Sequence, residues 1–167
     1  MPAEHTTVTM GTHAQLCNRL KKLCSRNTLI VGIGNTLKGD DGAGALICQQ
    51  LKDISPEQVI DAGTVPENYI QPIIEKAPKV LLIIDAIDFG ASVGAVNIFK
   101  PDQLNSLAIS THTLSPRLFV DVICQSIRPE VYFIGIQPGQ TVLGQPLTGE
   151  VEQAIKSLTE TLSTILK

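Results

Sequence analysis

The run Val80-Leu81-Leu82-Ile83-Ile84, followed at once by Asp85, decides the fold. A strand with one wet face would alternate apolar and polar residues. Five large apolar residues in succession fit a central strand covered on both faces, as in a parallel sheet packed between helices. Shorter apolar runs flank it. Thr28 to Ile33, Gln58 to Ala62, Gly94 to Phe99 and Glu130 to Ile136 read as further strands. Between them, apolar residues recur at helical spacing: Ala43, Leu46, Ile47 and Leu51; Leu118, Phe119, Val122 and Ile123; Val151, Ile155, Leu158, Leu162 and Ile165. Strands alternating with helices predict a three-layer α/β fold, a mostly parallel twisted sheet flanked by helices on both faces.

No repeat or linker divides residues 28–167, which are expected to form a single α/β domain. Residues 1–27 read as an N-terminal extension with a short amphipathic helix carrying Leu16, Leu20 and Leu23. Local signals sharpen some boundaries. Thr64-Val65-Pro66-Glu67 has the spacing of a capping box, so a helix is expected from there to Lys76, with Pro72 kinking or ending it. Ser115-Pro116 reads as an N-cap followed by a first-turn proline. Gln137 to Pro146, with two prolines and two glycines, reads as a loop.

Composition narrows the function. The 167 residues are 43% hydrophobic and 17% charged, which excludes intrinsic disorder. With 13 Lys and Arg against 16 Asp and Glu, the net charge is -3, and the basic excess expected of a nucleic-acid binder is missing. Aromatic residues are only 4%, too few for a base-stacking platform. The apolar runs are too short to insert in a membrane. Thr6, Thr7, Thr9, Thr12 and His13 interrupt any signal-peptide core. Cys17, Cys24, Cys48 and Cys124 contain no C-x-x-C pair. Free thiols in a chain able to bury its own core suggest the cytoplasm.

In open α/β sheets, ligands gather beyond the carboxyl ends of the strands. This rule selects Asn35, Asp40, Asp41, Asp61, Asp85, Asp88 and, in the connection after Phe99, His112. Asp85 directly after an apolar strand is costly to desolvate, so it needs a cation, a proton or several donors. A loop-capping carboxylate is the plainer alternative. Asp40 and Asp41 would complement the helix end that follows them. Two adjacent like charges repel unless a cation or shared proton relieves them. His112 lies among Ser110, Thr111 and Thr113 and gains a role only if Asp41 and Asp85 come near it. Two carboxylates and an imidazole suit a divalent transition metal such as nickel or zinc.

A nucleotide site fits poorly. Gly32-Ile33-Gly34 follows a strand, but Leu37 occupies the third glycine position of G-x-G-x-x-G, and Asp40 and Asp41 would repel a pyrophosphate. No G-x-S-x-G nucleophile elbow is present. The alternative to an enzyme is a non-catalytic α/β binding module for a nucleotide or a protein.

The spaced motifs together resemble those of the hydrogenase maturation endopeptidases. The likeness runs through Gly32-Ile33-Gly34-Asn35, Gly39-Asp40-Asp41-Gly42-Ala43-Gly44, Asp61-Ala62-Gly63 with Pro66-Glu67-Asn68, Leu82 to Asp88, Thr111-His112, and Gly135-Ile136-Gln137-Pro138. The Pro66-Glu67-Asn68 form is similar to the branch that serves membrane-bound, hydrogen-evolving hydrogenases. The resemblance implies an endopeptidase that removes the C-terminal extension of an immature [NiFe]-hydrogenase large subunit after nickel insertion. It implies that Asp41, Asp85 and His112 contact nickel supplied by that substrate, with no nucleotide. Asn35, Gly39, Gly42, Glu67 and Asn68 are expected to help bind the substrate. Other maturation factors are expected as further partners. In the binding-module alternative, the chain would only recognise the immature subunit.

Overall fold

The computed structural model describes residues 11–24, 27–109 and 115–167. Among these, six strands form: β1 (Thr28–Ile33), β2 (Val59–Gly63), β3 (Val80–Asp88), β4 (Val96–Phe99), β5 (Ala108–Ile109) and β6 (Glu130–Ile136). Their order is β2-β1-β3-β6-β4, with β5 paired to the end of β3. The apolar run at 80–84 is therefore central, with β1 and β6 parallel to it on either side. Edge strand β4 is antiparallel to β6, placing Val96 beside Ile136. The mostly parallel sheet predicted from the sequence is observed.

Among the described residues, five α-helices cover the sheet: α1 (His13–Cys24), α2 (Ala43–Lys52), α3 (Ile70–Lys76), α4 (Pro116–Ser126) and α5 (Gly149–Leu166). Because successive strand residues point to opposite faces, β3 divides its run between two cores. Leu82 and Ile84 join Ile30, Ile134 and the buried faces of α1, α2 and α5. Leu81 and Ile83 join Val31, Phe133, Ile73 of α3 and Phe119 and Ile123 of α4. Leu20 and Leu23 bring α1 into the first core. Fully burying side chains of this kind stabilises by roughly 1.5–3 kcal/mol each.

Several local expectations are corrected. β3 does not end at Ile84. Asp85 pairs in register with Gly135 and Ala86 with Ile136, so Asp85 lies within the strand. The capping box at Thr64 does not form. A 3-10 helix (Pro66–Tyr69) begins after Val65 without a side-chain cap, and Pro66 occupies its first turn. That turn delays the α-helix, so Pro72 falls in the first turn of α3, where a missing N–H costs nothing. β4 begins at Val96, after Gly94 has taken a left-handed turn at φ 84°. The Ser115 cap does form, its hydroxyl accepting from the Leu118 N–H at 3.1 Å.

Candidate active site

The carboxyl ends of β1 and β3 place the acidic residues. After β1, the chain turns through Asn35 to Lys38 into a 3-10 helix (Gly39–Gly42) that leads into α2. Gly39 is left-handed at φ 52°. Gly44 lets α2 press onto the sheet: a Cβ there would overlap the Ile84 carbonyl oxygen and crowd that of Ile33. The turn that holds Asp41 packs against β3, the strand that holds Asp85. Both are buried, at 6% and 1% exposure.

The two adjacent aspartates have different tasks. Asp40 is fully buried, and its carboxylate faces the 137–148 loop. Oδ2 accepts from the Gly139 N–H at 2.8 Å, the Gln140 N–H at 3.1 Å and the Thr148 hydroxyl at 2.9 Å. Oδ1 accepts from the Thr148 N–H at 2.8 Å. The Asp40 N–H also donates to the Gln140 carbonyl at 2.9 Å. Thr148 is the N-cap of α5, so the charge sits where that helix presents its positive end. Asp40 therefore needs neither the cation nor the shared proton that the sequence pairing suggested. Asp41 is lightly held, its Oδ2 accepting the Asn35 N–H at 3.1 Å. Asp41 Oδ1 accepts no hydrogen bond from the described residues.

The other expected residues separate in the same way. Asn35 Oδ1 accepts from the Leu37 N–H at 2.9 Å, fixing the turn before Asp41. Gly39 and Gly42 are buried, and the space a Cβ would need is filled by the Gln140 carbonyl and by Thr36 backbone, respectively. Their lack of a side chain serves the chain's own packing. Glu67 is half-buried, with Oε2 enclosed and lacking a hydrogen-bond partner among the described residues, while Asn68 is exposed. Asp61 is bound by Gln49 Nε2 at 2.9 Å and by the Gly63 N–H at 3.1 Å. His112 lies outside the described residues, and among those described no group of three His, Cys, Asp or Glu is placed to hold a metal. A groove of about 780 Å3 between α1, β4 and α5 is lined by His13, Leu16 and Ser157 and includes none of the expected site residues.

Two polar side chains at this edge acquire roles that the sequence reading did not give them. Asp40 ties the β1 turn to the 137–148 loop. Buried Gln137 holds the loop after β3: its Oε1 accepts from the Phe89 N–H at 2.9 Å and the Ala91 N–H at 3.2 Å, and its Nε2 donates to Asp88 at 3.0 Å. The signal was the loop's composition. Residues 137–148 contain no charge, so a carboxylate acceptor for amides buried there has to come from another segment.

Comparison with known proteins bears on the family and the fold. The family model described as HycI, hydrogenase maturation protease, matches residues 46–165. The chain belongs to the hydrogenase maturation protease family. Hydrogenase 3 maturation protease of Escherichia coli K12 is 34% identical over 137 residues, covering 80% of this chain and 87% of that one. The crystal structure of a [NiFe] hydrogenase maturation protease HycI from Thermococcus kodakarensis KOD1 superposes with a TM-score of 0.80 at 30% identity, covering 89% of this chain and 98% of the other. The solution structure of the endopeptidase HycI from E. coli gives 0.72 at 33% identity, covering 80% and 87%. This member of the hydrogenase maturation proteases is thus an endopeptidase. No described helix is long and apolar enough to cross a membrane.

Proposed function

We propose that the protein removes the C-terminal extension of a [NiFe]-hydrogenase large-subunit precursor in the cytoplasm, after nickel has entered that precursor. Asp41, Asp85 and His112 reach toward the nickel already held by the substrate, so the enzyme tests for metal before it cuts. The observation that supports this best is the delivery of two buried aspartates to one sheet edge, with Asp41 Oδ1 left without a donor among the described residues. A carboxylate oxygen of that kind can ligate an incoming cation or accept a proton from water. Nickel in the substrate would polarise the scissile carbonyl or hold the peptide in place. Asn35 supports the reading by fixing the turn that presents Asp41. Glu67 and Asn68 border the same edge and are assigned to the tail. Other maturation factors are partners that would deliver the nickel-loaded precursor.

The test is direct. Purified protein is incubated with nickel-loaded and nickel-free precursor, and the product mass is followed. Cleavage of only the nickel-loaded form is expected. Asp41→Asn, Asp85→Asn and His112→Ala should each abolish cutting while retaining the wild-type circular-dichroism spectrum. Normal cleavage by a folded Asp85→Asn variant, or equal cutting of both precursors, refutes the corresponding part of the proposal.

A further inference from the structure

We infer that Leu37, Val142 and Leu143 form an apolar docking ridge for the body of the precursor polypeptide beside the cleavage site. This inference rests on the cleavage reading and extends it from the tail to the folded part of the substrate. Leu37 is 68% exposed, Val142 58% and Leu143 66%. Single exposed apolar residues are ordinary, but a group at one place marks an interaction surface. These three lie on two loops bonded together by the Gly144 N–H, which donates to the Leu37 carbonyl at 2.8 Å, while the Gln145 N–H donates to the Val142 carbonyl at 3.2 Å within the second loop. The Asp40 carboxylate fastens the same two loops. The ridge is therefore exposed yet tethered, and ordering it on binding costs little.

Position and chemistry choose the occupant. Leu37 stands four residues before Asp41 on the turn that presents that aspartate. An endopeptidase must admit a polypeptide to this edge, so a chain entering the site passes beside the ridge. Val65 and Val93, on the loops after β2 and β3, are also exposed at this edge. The 137–148 loop carries no charge, so covering it strands no ion away from water. The complementary surface on the precursor should therefore be apolar and uncharged.

The experiment compares wild type with Leu37→Ser/Leu143→Ser, using nickel-loaded large-subunit precursor from the same organism as probe. KM and kcat are read from release of the tail, and affinity is measured separately by interferometry. The side chains face solvent, so the unfolding midpoint should be unchanged. KM should rise at least about tenfold with kcat retained, and binding should weaken in parallel. Val142→Lys, which places a charge on the ridge, should act in the same direction. Unaltered KM and affinity in both variants overturn the ridge while leaving the cleavage reading intact. A wild type that neither binds nor cuts overturns both. A wild-type dimer dissociated by the double substitution assigns the ridge to a second copy of this chain and overturns the precursor assignment.

Discussion

At the scale of the residue, Asp40 and Asp41 show how neighbouring carboxylates divide labour. Among the described residues, Asp40 collects four donors from one loop, whereas Asp41 accepts one and keeps an oxygen unbonded. Asp40→Ala would leave buried amides without an acceptor, at roughly 1–3 kcal/mol for each group that water cannot reach. It should lower stability in urea unfolding by about 3 kcal/mol or more. Asp41→Asn should cost less than about 1 kcal/mol, because the amide oxygen can still accept from Asn35. Equal losses would mean that the carboxylate of Asp40 does not hold the loop. The sequence revealed that this pair was unusual but not which member was structural. That distinction depends on residues about a hundred positions away. The imidazole expected at His112 falls in a polar segment with no hydrophobic period, which gives a sequence reading nothing to anchor.

At the scale of the element, close approach at glycine sets where the acidic turn lies. Gly44→Ala would drive a methyl into the carbonyl oxygens of Ile84 and Ile33, both backbone atoms that cannot rotate away. The helix must move off the sheet, carrying the Asp41 turn with it. Overpacking of this kind typically costs about 1–3 kcal/mol, readable as a lowered urea midpoint, and cleavage should fall further than the folded fraction does. A variant with wild-type stability would show that α2 has slack against β3. Strands and long helices were legible because their periodicity is local: 80–84, 28–33 and the α5 stripe form where they were read, although β3 runs on to Asp88. Helix starts were less so. Thr64 and Glu67 have capping-box spacing, yet Pro66 sets up a 3-10 turn that moves the α-helix onset to Ile70. The place of β4 was not legible either, because nothing local in Val96–Phe99 says which sheet edge it takes or in which direction.

At the scale of the whole molecule, the core that holds Cys24 and Cys48 makes stability depend on protons as well as on packing. Cys48 is fully buried beneath Gly32 in the α2-facing core, and burial with the nearby Asp61 charge pushes its thiol upward. Burial raises Cys24, at the end of α1, from 9.0 to about 11. Both thiols ionise more readily in the unfolded chain than in the folded one. Below pH 9 both states keep these protons, and the thiols give stability no pH dependence. Above pH 9 the unfolded chain loses them first, so stability falls as pH rises toward 11. Urea midpoints between pH 8 and pH 11 should therefore decline in the wild type, and Cys24→Ala/Cys48→Ala should flatten the part of that decline due to these two thiols. The variant itself should be less stable at pH 8, because Cys48 packs as an apolar side chain in a filled core. If both proteins lose stability in parallel across this range, the buried thiols are not what ties the fold to alkaline pH.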